Sequence, residues 1–150
     1  MSKVNAAGVF LVRTNGMVLI CHPTNHKPDF FSIPKGKIEE GESAADAAIR
    51  ETFEESNVDV KGCSMIAMDM VNYRSKKKAL HPFLVYEGHN PHLNWDNLDL
   101  KCNSFVPEDK GGFPEMDGYQ WVMLDEAKNM LHETQSMCLD KIKALIDGKN

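Results

Sequence analysis

Glu51, Glu54 and Glu55 place three carboxylates within five residues, and they are where this 150-residue sequence could do chemistry. At about 100° per residue on a helix they stand near 0°, 300° and 40°, so they share one narrow face. No lysine stands four residues after any of the three to form the ion pairs of a merely solvated helix. An all-oxygen cluster suits hard divalent ions such as Mg²⁺ or Mn²⁺ rather than zinc. Arg50 lies on the edge of the acidic face, about 40° from Glu54, placed to hold a carboxylate in orientation. Ahead of these residues, Pro34-Lys35-Gly36-Lys37-Ile38-Glu39-Glu40-Gly41-Glu42 reads as a tight turn whose glycines can bring backbone carbonyls close to an ion. Lys35 and Lys37 flank Gly36 and offer cations to an anionic ligand. Protein acid, dication and anionic substrate form the layering in which a metal bridges carboxylates to phosphates.

The elements that position these groups follow from the pattern. Ser43 to about Ser56 is predicted as a helix, with Ser43 as N-cap, Asp46 at the capping-box position and Asn57 able to take the left-handed turn that closes it. The helical wheel puts Ala45, Ile49, Thr52, Phe53 and Ser56 on the packing side, opposite the acids. Asn15-Gly16 between the apolar runs Ala7 to Val12 and Met17 to Cys21 predicts an opening hairpin. Phe30-Phe31-Ser32-Ile33 reads as a short extended piece. Strands are expected over Val58 to Val71, Ala79 to Glu87, around Lys101 to Val106, and over Tyr119 to Leu124. Asp125 is expected to cap a short helix through Leu131, and Ser136 a final amphipathic helix that Gly148 stops. Strands and helices alternate without repeats, which makes the class α/β or α+β with a mixed sheet, and the length argues for a single domain over 1–150.

The formal net charge is −5, and the stretch Gly36 to Val58 accounts for all of it, with seven acids against Lys37 and Arg50. Such crowding is relieved by exposure, by raised pKa values or by bound cations. A duplex-DNA-binding surface is disfavoured, because such surfaces are net basic. With 42% hydrophobic residues the chain can bury a core, yet no apolar run approaches the roughly 18 residues that span a bilayer. No signal peptide is indicated at the N-terminus, so a cytoplasmic location is expected. Cys21, Cys63, Cys102 and Cys138 form no C-x-x-C pair and read as free thiols. The basic tip Arg74-Ser75-Lys76-Lys77-Lys78 is a solvated turn or a contact for a polyanion.

Gly36, Glu42, Arg50-Glu51, Glu54-Glu55 and Val58 stand at the spacing G-x5-E-x7-R-E-U-x-E-E-x-G-U, where U is a bulky apolar residue. In this the chain resembles the Nudix family. Thr52 at an apolar position and Asn57 in place of glycine are the departures. The strand before the box and Trp121-Val122-Met123-Leu124-Asp125-Glu126-Ala127 are also similar to Nudix domains. The resemblance implies an α/β/α sandwich with a mixed sheet and hydrolysis of a nucleoside diphosphate linked to another group. It implies Glu51, Glu54 and Glu55 as ligands of Mg²⁺ or Mn²⁺ with the Gly36 carbonyl, Glu42 completing the metal site, and Arg50 orienting a glutamate. The catalytic base is either Glu115, in the loop before the Trp121 strand, or Glu51.

The Phe30-Phe31-Ser32-Ile33-Pro34-Lys35-Gly36-Lys37 entry is similar to that of Nudix enzymes acting on dinucleoside polyphosphates. The expected nucleotide contacts are Lys35, Lys37 and Arg74 to phosphates and Phe31 to a base, although adjacent strand phenylalanines face opposite sides and at least one belongs in the core. The alternatives within the class are a (d)NTP pyrophosphohydrolase and a 5′-triphosphate RNA pyrophosphohydrolase. Outside it stand a Nudix module that binds a nucleotide without cleaving it, and a calcium-responsive acidic module, which would need a D-x-[DN]-x-[DN]-G loop that the chain lacks. No membrane partner is expected, and the expected state is a monomer or homodimer.

Overall fold

Strand β1 (Val4–Val12) is buried from Ala6 onward, and its side chains alternate between two separate cores. The computed structural model describes residues 3–148. Around β1 the chain lays β2 (Met17–Pro23), β3 (Lys35–Lys37), β4 (Ile66–Ala67), β5 (Val71–Asn72), β6 (Lys78–Tyr86) and β7 (Met116–Met123) into one sheet. The order is β4-β6-β1-β2-β7, with β3 also paired to β1 and β5 to β6. The sheet is mixed: β1 and β6 run parallel from Val4↔Lys78 to Val12↔Tyr86, while the other pairings are antiparallel.

Helix α1 (Ala44–Ser56) covers one face, where Ala7, Val9, Leu11, Leu19, Phe83 and Val85 pack with Ala47 and Ala48. On the other face Phe10, Val12, Val18, Ile20 and Leu84 meet α2 (Leu124–Ala127) and α4 (Leu139–Ile146), with α3 (Glu133–Ser136) between them. This is the expected α/β/α sandwich. Among the described residues no helix is long and apolar enough to cross a membrane. All four cysteines are free thiols.

The opening hairpin forms, but only Gly16 has a positive φ, +87°. Its N–H closes the turn on the Arg13 carbonyl at 3.0 Å, and Asn15 instead accepts from Met17 N through its side chain at 3.1 Å. The predicted turn at Lys35 to Lys37 is a strand, with Gly36 opposite Ala7. Much of Val58 to Val71 is irregular, because Gly62 turns at φ +86° and Asn90 takes the Ser64 backbone into a side-chain bridge, leaving only the two-residue β4 and β5. The strand expected around Lys101 to Val106 reduces to one bridge, Phe105↔Pro114. There the amides of Lys101 and Asn103 donate to the Ser56 and Glu54 carbonyls at the end of α1, so they are not available for a ladder. The late helices are also displaced: α2 starts after Met123, α4 starts after Cys138, and Ser136 ends α3, its hydroxyl donating to Lys128 O and Leu131 O.

Candidate active site

Helix α1 starts where Ser43 accepts from Asp46 N at 3.1 Å and ends at Asn57, φ +66°. Its buried stripe is Ala47, Ala48, Thr52, Glu55 and Ser56, whereas Phe53 is 45% exposed. The packing side is therefore rotated away from Phe53, the edge of the expected face: the small Ala47 and Ala48, not the large aromatic, let the helix approach the sheet. That close approach carries Glu55 under the helix, where its Oε1 accepts from Lys35 N at 3.0 Å. Burial raises the Glu55 carboxyl to about 8, helped by the charges of Glu51 and Glu115 and opposed by Lys35. Thr52 Oγ1 is buried without a hydrogen-bond partner among the described residues.

Arg50 is the hub of the other acids. Its Nε and Nη2 grip the two Glu42 oxygens at 2.8 and 3.0 Å, and its Nη1 bridges Glu51 Oε2 at 2.9 Å and Glu54 Oε2 at 2.8 Å. Nη2 also donates to the Lys37 carbonyl at 3.0 Å, tying the helix to β3. The guanidinium holds Glu42 down to about 2, and the surrounding carboxylates raise its own pKa further. Both Glu42 oxygens accept from Arg50, so Glu42 anchors the guanidinium that in turn holds Glu51 and Glu54. Glu51 is raised by burial and by the Glu54 charge, against the pull of Arg50.

Glu51 lies over Gly36 so closely that a Cβ there would stand 2.0 Å from its carboxyl carbon and 2.2 Å from each oxygen. Only glycine leaves room for this seat. Among the described residues no three His, Cys, Asp or Glu side chains stand together as a ready metal-holding group. The donor types nevertheless fit a hard dication, since the Glu51 carboxylate lies against a residue with no side chain and Glu54 shares an arginine with it.

Beside this cluster opens a cavity of about 560 Å³. Lys35, Lys78 and Glu115 line it together with two aromatic pairs: His26 stacked on Phe30 at 5.0 Å, and Tyr73 tilted on His132 at 5.2 Å. Lys78 Nζ sits 4.9 Å from the Tyr73 ring centre. Glu115 accepts from Ser104 Oγ at 2.9 Å, and its backbone is held by Thr24 N and Ser104 O. Phe31, expected at a base, is buried in the core, and Phe30 lines the cavity in its place. Lys37 borders a separate depression with Lys3 and His81. Arg74, 87% exposed, pairs with Glu133 and does not line the cavity. His26, Tyr73 and His132 were not identified from the sequence, and Lys78 only as part of the basic tip, since they come from separated segments with no shared spacing. For Phe30 the alternation of the two phenylalanines was a usable signal.

Residues 2–141 match the NUDIX domain family. The RNA pyrophosphohydrolase of Vibrio cholerae serotype O1 is 29% identical, over 73% of this chain and 70% of that protein. The 8-oxo-dGTP diphosphatase of Proteus vulgaris is 31% identical, over 57% of this chain and 77% of that one. The fold is similar to that of the C. elegans Ap4A hydrolase binary complex, with a TM-score of 0.69 and 24% identity over 97% and 98% of the two chains.

Proposed function

The chain belongs to the NUDIX domain family and is a hydrolase acting on pyrophosphate bonds, and from that premise we propose that its substrate is a dinucleoside polyphosphate, cleaved with Mg²⁺ or Mn²⁺. The observation that carries the reading is the Glu51 carboxylate seated on Gly36 and joined through Arg50 to Glu54, next to Lys35, which lines an aromatic cavity. The Gly36 carbonyl, Glu51, Glu54 and Glu55 would hold the dication. When bound, it neutralises the diphosphate and activates the attacking water.

The chain's own residues do the rest. Arg50 fixes the Glu51 and Glu54 side chains, so little reorganisation remains when charge builds up on the substrate. The Lys35 amide holds Glu55 in place. Phe30, Tyr73 and His132 receive a base by stacking, and the Lys35 and Lys78 ammonium groups meet phosphate oxygens. Glu115, exposed at the cavity rim, takes the proton of the attacking water, with Glu51 as the alternative acceptor.

Triphosphorylated RNA is the second reading. The V. cholerae relative's name and the basic tip at Arg74 to Lys78 favour it.

The test is a panel of dinucleoside polyphosphates, nucleoside triphosphates, ADP-ribose and triphosphorylated RNA, with products analysed in ¹⁸O water. The highest kcat/KM is expected on a dinucleoside tetraphosphate. A preference for RNA selects the second reading, and no turnover on any member rejects both. Glu54→Gln and Glu55→Gln should each lower kcat/KM on the order of 10³-fold, the loss of several kcal/mol of charge stabilisation.

A further inference from the structure

The last carbonyls of α1 lie beyond the helix's own amides, except Phe53 O, which takes the Asn57 N–H, and one segment partners Phe53 O, Glu54 O and Ser56 O. Lys101 N donates to Ser56 O at 3.3 Å and Asn103 N to Glu54 O at 2.7 Å, while the Asn103 side chain donates to Phe53 O at 3.0 Å. Asn57, which stands where the family pattern has glycine, adds two contacts a glycine cannot make. Its Nδ2 donates to Asp99 O at 2.9 Å, and its Oδ1 accepts from Asn103 Nδ2 at 2.9 Å. Residues 99–103 are thereby strapped to the end of the helix that carries Glu54 and Glu55.

The next residue, Ser104, reaches Glu115 twice. Its carbonyl accepts from Glu115 N, and its hydroxyl donates to Glu115 Oε1, each at 2.9 Å. Glu115 Oε2 has no hydrogen-bond partner among the described residues. A carboxylate in an exposed loop samples many rotamers, and a donor on one oxygen leaves the other pointed in a single direction.

We propose that Ser104 is a positioning residue for hydrolysis: it fixes the Glu115 carboxylate against the metal-binding helix, with the 99–103 strap setting the distance between them. This rests on the assignment of Glu115 as proton acceptor. Free rotation of the carboxylate lowers the fraction of encounters in productive geometry, which reduces kcat and leaves KM in place.

The experiment measures kcat, KM, Mn²⁺ affinity and Tm for Ser104→Ala, Ser104→Thr, Glu115→Gln and the Ser104→Ala/Glu115→Gln double variant. Ser104→Ala is expected to lower kcat about tenfold, the size of one charge-assisted hydrogen bond, with KM, Mn²⁺ affinity and Tm unchanged. Ser104→Thr, which keeps the hydroxyl, restores the rate. In the Glu115→Gln background the alanine change has no further effect, because the group it positions is gone. A Ser104→Ala enzyme with wild-type kcat beside a crippled Glu115→Gln overturns the positioning role alone. Additive losses in the double variant do the same. A harmless Glu115→Gln instead removes the assignment of the base, and the positioning role with it.

Discussion

Gly36 is the residue on which the acid cluster turns. An added methyl would stand about 2 Å from the Glu51 carboxyl, too close for any real contact, so either the carboxylate or β3 must move. Gly36→Ala should lower kcat/KM by about 10²-fold, the cost of displacing a reacting group by roughly an ångström. Tm should change little, since alanine is a better strand residue than the glycine it replaces and the atoms it displaces are the end of a flexible side chain. Steady-state kinetics beside a melting curve check both. The spacing of Gly36, Arg50 and the glutamates was legible in the sequence because chemistry fixes those types at those distances. The partner of Glu42 was not, because an acid beside a metal site and an acid beside an arginine look the same in one dimension. Which of the two phenylalanines enters the core is a tertiary fact: Phe31 bridges Leu131 and is buried, whereas Phe30 lies outside the bridge and is exposed.

At the scale of elements, α1 shows what a helical wheel can and cannot deliver. The helix, its Ser43 cap and its Asn57 stop follow from local chemistry and are present. Which side packs depends on how closely the sheet is approached, and the alanine stripe brought Glu55 and Thr52 inward against their polarity. Thr52 therefore keeps a buried hydroxyl with no partner among the described residues. Thr52→Val, nearly the same shape without the hydroxyl, should stabilise the protein by about 1 kcal/mol and raise Tm by roughly 2–4 °C. Differential scanning calorimetry would show it, and an unchanged or lower Tm would mean that the hydroxyl is satisfied in solution. The strand read at Lys101 to Val106 illustrates the converse. Its backbone donors go to the carbonyls of α1, a competition that no window of sequence displays.

Across the whole molecule, the three-layer plan was readable through the family resemblance, and β1 carries it by sending side chains to two apolar faces. The pairing of β2 with β7 across 95 residues of chain was not, and it is reinforced by His22 Nδ1 on Asp117 Oδ1 at 2.5 Å. The Asp117 side chain, and next the Lys27 carbonyl, raise His22 above its ordinary 6.5. A raised histidine contributes stability that is fully present below the unfolded value and is lost as pH rises through the folded one. Tm should therefore fall as pH rises above 6.5, and His22→Asn should flatten that part of the profile. Equal slopes in the two proteins would deny the link.

The central claim is that Glu51, Glu54, Glu55 and the Gly36 carbonyl hold the dication that serves hydrolysis. Anomalous scattering from crystals grown with Mn²⁺ and a non-hydrolysable dinucleoside polyphosphate tests it most directly. A manganese peak is expected between Gly36 and these three glutamates, with the polyphosphate joined to it and a base in the aromatic cavity. A manganese-free cluster with the nucleotide bound elsewhere would contradict it.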